Sequence, residues 1–133
     1  MRLCAAFDGI KDQIYAVPYP IADSAIPMAV ISDNRPNIGS EVRDIQPYGH
    51  GFYTDNHRTL TATLMQPARA AEVTTWLGAT VELLDATGST IYATSFPDSV
   101  RDARLEGPGG EDIVWVRFTA VGEFMLLSMC IEA

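Results

Sequence analysis

Between residues 58 and 65 the chain reads RTLTATLM, with Leu60, Ala62 and Leu64 on one set of alternate positions and Thr59, Thr61 and Thr63 on the other. A period of two marks a half-buried strand, and alternating threonines disfavour helix because a β-branched side chain loses χ1 freedom there. The pattern recurs in ATVELL at 79–84 and DATGSTIYATSF at 85–96, joined through Asp85, Ala86, Thr87 and Gly88. Those four have the composition of a hairpin turn with glycine at the left-handed position. In DIVWVRFTAVGEFMLLSMCIEA, Val114, Val116 and Phe118 alternate with Trp115, Arg117 and Thr119 until Gly122 breaks the run. This predicts a second hairpin, closing on a last strand at 124–132.

The remaining apolar runs predict a first strand over RLCAAF, another over QIYAV at 13–17 and a short one over IPMAVIS at 26–32. Pro18, Pro20, Pro36, Pro47, Gly49 and Gly51 punctuate the intervals as loops. Only QPARAAEVTTW at 66–76 has room for a helical turn, and Thr74 and Thr75 favour strand even there. Seven or more short strands with regular turn signals imply an all-β fold, a single antiparallel β-sandwich. Segments 33–50 and 97–112 read as the longest loops, where function is expected.

A length of 133 residues fits one domain spanning 1–133. Hydrophobic residues at 47% and charged residues at 20% are the balance of a chain that folds alone. The net charge of −8 repels a phosphate backbone, so nucleic acid is excluded as an expected partner. The longest apolar run, FMLLSMCI, is less than half of the roughly 20 residues a membrane helix needs, which excludes a membrane-spanning helix. At the N-terminus Asp8 and Lys11 arrive too early for a secretory h-region, so the expectation is use without Sec export or a signal already removed. Cys4 and Cys130, the two cysteines, have neither metal-ligand nor CxxC spacing. They read either as buried thiols or as a disulfide closing a loop of over a hundred residues.

Several short motifs resemble one family. The bacterial jelly-roll modules, similar to carbohydrate-binding modules and lectin-like exported domains, open with a C-x-x-F-[DE] strand, matched here by Cys4, Phe7 and Asp8. Their central sLtvtf-x-x-P is matched by Leu60, Leu64 and Pro67, and their v-l-D-x-x-G-x-x-i hairpin by Val81, Leu83, Asp85, Gly88 and Ile91. The closing strand is matched by Phe118, Gly122, Phe124, Leu126, Met129 and Cys130. The resemblance implies a jelly-roll-like sandwich with first and last strands adjacent, which would bring Cys4 beside Cys130. Many such modules hold calcium between an acid of the first strand and one of the last. Asp8 matches the first position, but Leu127 stands at the second, so no calcium or other cofactor is carried over.

The stretch PYGHGFYTDNHR at 47–58 gathers both histidines, His50 and His57, with Tyr48, Phe52 and Tyr53. No further His or Cys completes a metal shell, so no metal is expected. The stretch reads first as an ordinary polar loop, with its three aromatic rings offering flat faces to a sugar or a protein partner as the alternative. Trp76 and Trp115 read first as core residues, with Trp115 beside Arg117, the cation stacked on the indole, as a second candidate. No GxSxG elbow is present, and the paired acids Glu111 with Asp112 and Asp98 with Asp102 read as solvated loop charge. The glycine-rich EGPGGED at 106–112 lacks the lysine of a phosphate loop. No enzyme is expected. The jelly-roll pattern without a signal or catalytic motif predicts a structural module of a larger assembly, docking on a protein surface as phage virion decoration and tail proteins do. Such a module would be virion-located and homo-oligomeric by analogy. The alternative is an extracellular carbohydrate-binding module that takes a glycan on its loop aromatics.

Overall fold

A computed structural model describes residues 1–133 and contains strands and turns without helix. The strands are β1 (Arg2–Ala6), β2 (Gln13–Tyr15), β3 (Tyr19–Asp23), β4 (Ile26–Asp33), β5 (Ser40–Ile45), β6 (Gly49–Asp55) and β7 (Thr59–Ala68). They continue as β8 (Ala70–Trp76), β9 (Ala79–Leu84), β10 (Thr90–Phe96), β11 (Arg101–Glu106), β12 (Ile113–Ala120) and β13 (Glu123–Glu132). A seven-stranded sheet runs β11-β8-β13-β6-β5-β2, with β1 also on β13, and a six-stranded sheet runs β10-β9-β12-β7-β4-β3. Every pairing is antiparallel. The fold is the expected antiparallel β-sandwich, with first and last strands adjacent.

Alternation dictates the packing. Leu60, Ala62 and Leu64 of β7 and Val116, Phe118 and Ala120 of β12 point inward from one sheet. Phe52, Val73, Phe124, Leu126, Met129 and Ile131 meet them from the other, and all belong to one buried cluster. The predicted hairpin is β9–β10, turned through Asp85: its Oδ1 accepts from the backbone N–H of Thr87 and of Ser89, and Gly88 takes φ +82°.

Several expectations are corrected. β12 and β13 are not a hairpin, because β12 pairs with β7 and β9 while β13 pairs with β1, β6 and β8. The chain crosses between sheets at Val121 and Gly122, so that Phe118 and Phe124 stack across the core with centroids 5.2 Å apart. The segment with room for a helical turn is the end of β7 followed by β8. The supposed loops 33–50 and 97–112 contain β5 and β11, and most of 47–58 is β6. β5 and β11 carry mostly polar residues, with Val42 and Leu105 as their largest inward side chains, so their apolar signal was faint.

β13 is shared along its length. Residues Glu123–Leu126 pair with β6, and beyond them β1 takes that side, Cys4 lying opposite Cys130. The two sulfurs are bonded, closing a separation of 126 residues. In the chain-entropy model such a loop is worth about 5 kcal/mol. The Cys4→Ala/Cys130→Ala double variant is expected to lose up to that amount in urea unfolding. An unchanged midpoint would show that β1 needs no cross-link to stay docked.

Candidate functional site

β8 builds one side of the site by simple alternation. Ala71, Val73 and Thr75 are buried, so Glu72, Thr74 and Trp76 face outward from the seven-stranded sheet. Trp76 lies opposite Met125 of β13, and Met125 lies opposite Tyr53 of β6, which makes a row across three strands on this outer face. Tyr48, in the turn before β6, stacks on Trp76 with centroids 4.0 Å apart and planes 15° from parallel. The Tyr48 N–H donates to the Ile45 carbonyl, which fixes that turn. Gly51 permits the close approach behind it: a Cβ there would stand 2.2 Å from the Leu126 carbonyl oxygen. Tyr48 remains 44% exposed while stacked on Trp76.

Further along the same face, from Thr74 onward, a groove of about 350 Å³ runs over β8 and β11, lined by Arg2, Glu72, Thr74, Asp102, Arg104 and Ser128 among others. Arg104 organises it. Its Nε donates to Glu106 at 2.9 Å, its Nη1 to Glu72 at 3.1 Å, and both Nη atoms to Glu132 at 2.8 Å. Arg2 adds ion pairs with Glu72 and Glu132, and the Thr74 hydroxyl donates to Asp102 at 2.5 Å. Arginine's donors are planar and fixed, so the carboxylates are held as oriented acceptors with lone pairs to spare. Flat aromatic surface on the same face as oriented acceptors suits a ligand with apolar ring faces and hydroxyl edges.

No family model matches the chain, and no curated protein matches it. Solved structures do. A family 29 carbohydrate-binding module matches with TM-score 0.53 at 5% identity, covering 98% of this chain and 88% of that one. A second family 29 module, from Piromyces equi, matches with TM-score 0.50 at 4% identity over 91% and 89%. A family 6 module matches with TM-score 0.51 at 12% identity over 76% and 86%. The likeness is one of fold. It overturns the expectation of a virion decoration or tail protein, which rested on the jelly-roll pattern without a signal or catalytic motif. These three matched structures are carbohydrate-binding modules.

The residues singled out in the sequence scatter. Phe52 is wholly buried, edge-on to Phe7 at 4.8 Å, and offers no surface to a partner. Tyr53 is 2% exposed beneath the Arg43 guanidinium, 3.6 Å from its ring centroid, and its hydroxyl donates to Asp55. Burial raises the Tyr53 phenol above its ordinary value of 10.0. Both rings are hidden because β6 is covered on both sides. His50 is half-buried with Nε2 donating to the Ile10 carbonyl, whereas His57 lies exposed in the β6–β7 turn at φ 65°. No group of three His, Cys, Asp or Glu side chains is placed to hold a metal. Trp115 and Arg117 lie on the other sheet, where Arg117 pairs with Glu82 instead of stacking on the indole.

Of the aromatic stretch, Tyr48 alone is exposed on the face built by Trp76, since Tyr53 shares that face but is buried. Trp76, Glu72, Thr74, Asp102 and Arg104 were missed. The signal for three of them is the period of two in AAEVTTW, which puts Glu72, Thr74 and Trp76 on one side.

The Arg104 network carries a pH signature. Glu72 lies below the ordinary carboxylate value of 4.5, chiefly through its bond to Arg2, and Glu132 chiefly through its bond to Arg104. Each carboxyl binds fewer protons folded than unfolded, so its stabilisation is present above the ordinary value and lost as pH falls through the depressed one. These groups are exposed and the effect is small. Stability measured by urea unfolding is expected to fall as pH drops below 4.5, and to fall less steeply in Arg104→Ala. Identical pH slopes for the two proteins would contradict this reading of the network.

Proposed function

We propose that the chain is a carbohydrate-binding module that receives a glycan on the outer face of its seven-stranded sheet and performs no covalent chemistry on it. The stacked Tyr48–Trp76 pair on the same β8 face as an acceptor-lined groove carries the proposal. A pyranose ring has a face of C–H bonds that packs on an aromatic ring, and hydroxyls at its edge that donate to carboxylates. Stacking Tyr48 on Trp76 fixes the platform before the ligand arrives, which lowers the ordering cost of binding. Outward positions along β8 advance by about 6.6 Å per pair of residues, so Trp76, Thr74 and Glu72 span about 13 Å. That length suits successive units of an extended chain better than one sugar.

Support from outside the chain is of the same kind. One family 29 module of this fold, with TM-score 0.53, is described in complex with cellulohexaose. The bonded Cys4–Cys130 pair fits an extracellular, oxidising location. Residues 1–133 then act as one rigid binding domain.

A panel of neutral polysaccharides, read by intrinsic tryptophan fluorescence and titration calorimetry, tests the reading. Tyr48→Ala and Trp76→Ala are each expected to weaken binding about tenfold, from lost stacking and platform order. Absence of binding across the panel, or binding indifferent to both substitutions, overturns the assignment.

A further inference from the structure

The six-stranded sheet also presents a ring to solvent. Along β12, Val116, Phe118 and Ala120 are buried, so Trp115, Arg117 and Thr119 face outward. Trp115 lies between Thr63 of β7 and Leu84 of β9, and Arg117 between Thr61 and Glu82. This outer face is largely polar, with Thr59, Thr61, Thr63 and Thr80 on it. A half-buried tryptophan there is unexpected. Part of its role is local: Leu84 on the same face is only 6% exposed and lies outside the main core, with Trp115 directly across from it.

Covering Leu84 does not account for what surrounds the indole. A cavity of about 330 Å³ opens beside it, lined by Thr61, Leu84, Gly88, Trp115 and Arg117. One Glu82 oxygen accepts from Arg117 Nε at 3.2 Å and Nη2 at 3.1 Å, and the other accepts from Thr90 at 3.0 Å. The guanidinium is thereby held in place while its Nη1 end makes no bond within the chain. Gly88 borders the opening, and a Cβ there would meet nothing within 4 Å, so the β9–β10 turn leaves that side unblocked.

From this arrangement we infer a second glycan site, on the opposite face of the sandwich, in which Trp115 stacks on a sugar ring and Arg117 Nη1 and Thr61 bond its hydroxyls. The Arg117–Glu82 pair is neutral overall, so the site takes an uncharged sugar. The inference rests on the glycan-binding reading of the first face and goes beyond it. Two sheets, packed about 10 Å apart, separate the two faces. One extended chain therefore cannot lie on both, and the module holds two glycan chains at once.

Titration calorimetry of the full chain with a panel of neutral hexasaccharides, cellulohexaose among them, separates the outcomes. The expected result is two ligands per chain, falling to one in Arg117→Ala and in Trp115→Ala with the remaining affinity unchanged. Arg117 is half-exposed, so its variant keeps the test valid if Trp115→Ala unfolds. Tyr48→Ala is expected to remove or weaken the other ligand. One ligand per chain, sensitive to Tyr48→Ala and indifferent to Arg117→Ala and Trp115→Ala, overturns the second site and leaves the first standing. One ligand sensitive only to Arg117→Ala and Trp115→Ala supports this site and overturns the first. No binding by any hexasaccharide overturns both.

Discussion

Phe118 and Phe124 stack across the core from consecutive strands that belong to different sheets. Closing that contact requires the chain to leave the six-stranded sheet after Ala120 and enter the seven-stranded sheet at Glu123, turning through Val121 and Gly122. Once β12 and β13 are committed to opposite sheets, each strand's inward positions are fixed by its pairing register. Phe7 and Tyr19 build a second aromatic cluster of the same core against Phe52, at 4.8 Å and 5.7 Å. Burial of such rings, with the aliphatic residues packed around them, drives the sandwich together.

Committing one side of most central strands to the core leaves the other side to carry exposed polar and aromatic groups. On the seven-stranded sheet these form the Tyr48–Trp76 platform and the Arg104 carboxylate network. On the six-stranded sheet they form the Trp115–Arg117 groove. Apart from Tyr48, held in the turn before β6, these groups stand on strands, whose backbone positions neighbouring strands lock. The β1–β13 cross-link serves the same end, since β1 carries Arg2 to Glu72 and Glu132 at the edge of the polar groove.

Strand content was legible wherever one face of a strand is apolar and the other polar, as in β7, β9 and β12. It was faint in β5 and β11, where charges outnumber inward apolar residues. Periodicity also says nothing about which strands pair, so adjacency in sequence suggested a β12–β13 hairpin that the core packing forbids. The site was harder to read. Tyr48 and Trp76 stand far apart in sequence and meet only through the β8-β13-β6 pairing. Phe52 and Tyr53 misled for the opposite reason: they alternate as a strand should, yet both sides of β6 are covered and both rings are hidden.

Amide and indole chemical-shift mapping on the isotopically labelled chain, titrated with a soluble neutral oligosaccharide, tests most directly whether recognition lies on the sheet faces. The account predicts perturbations along β8 and β11, at the Trp76 indole and at Tyr48, with a separate set at the Trp115 indole. Shifts confined to the turns at either end of the sandwich, with both indole signals unmoved, would contradict it.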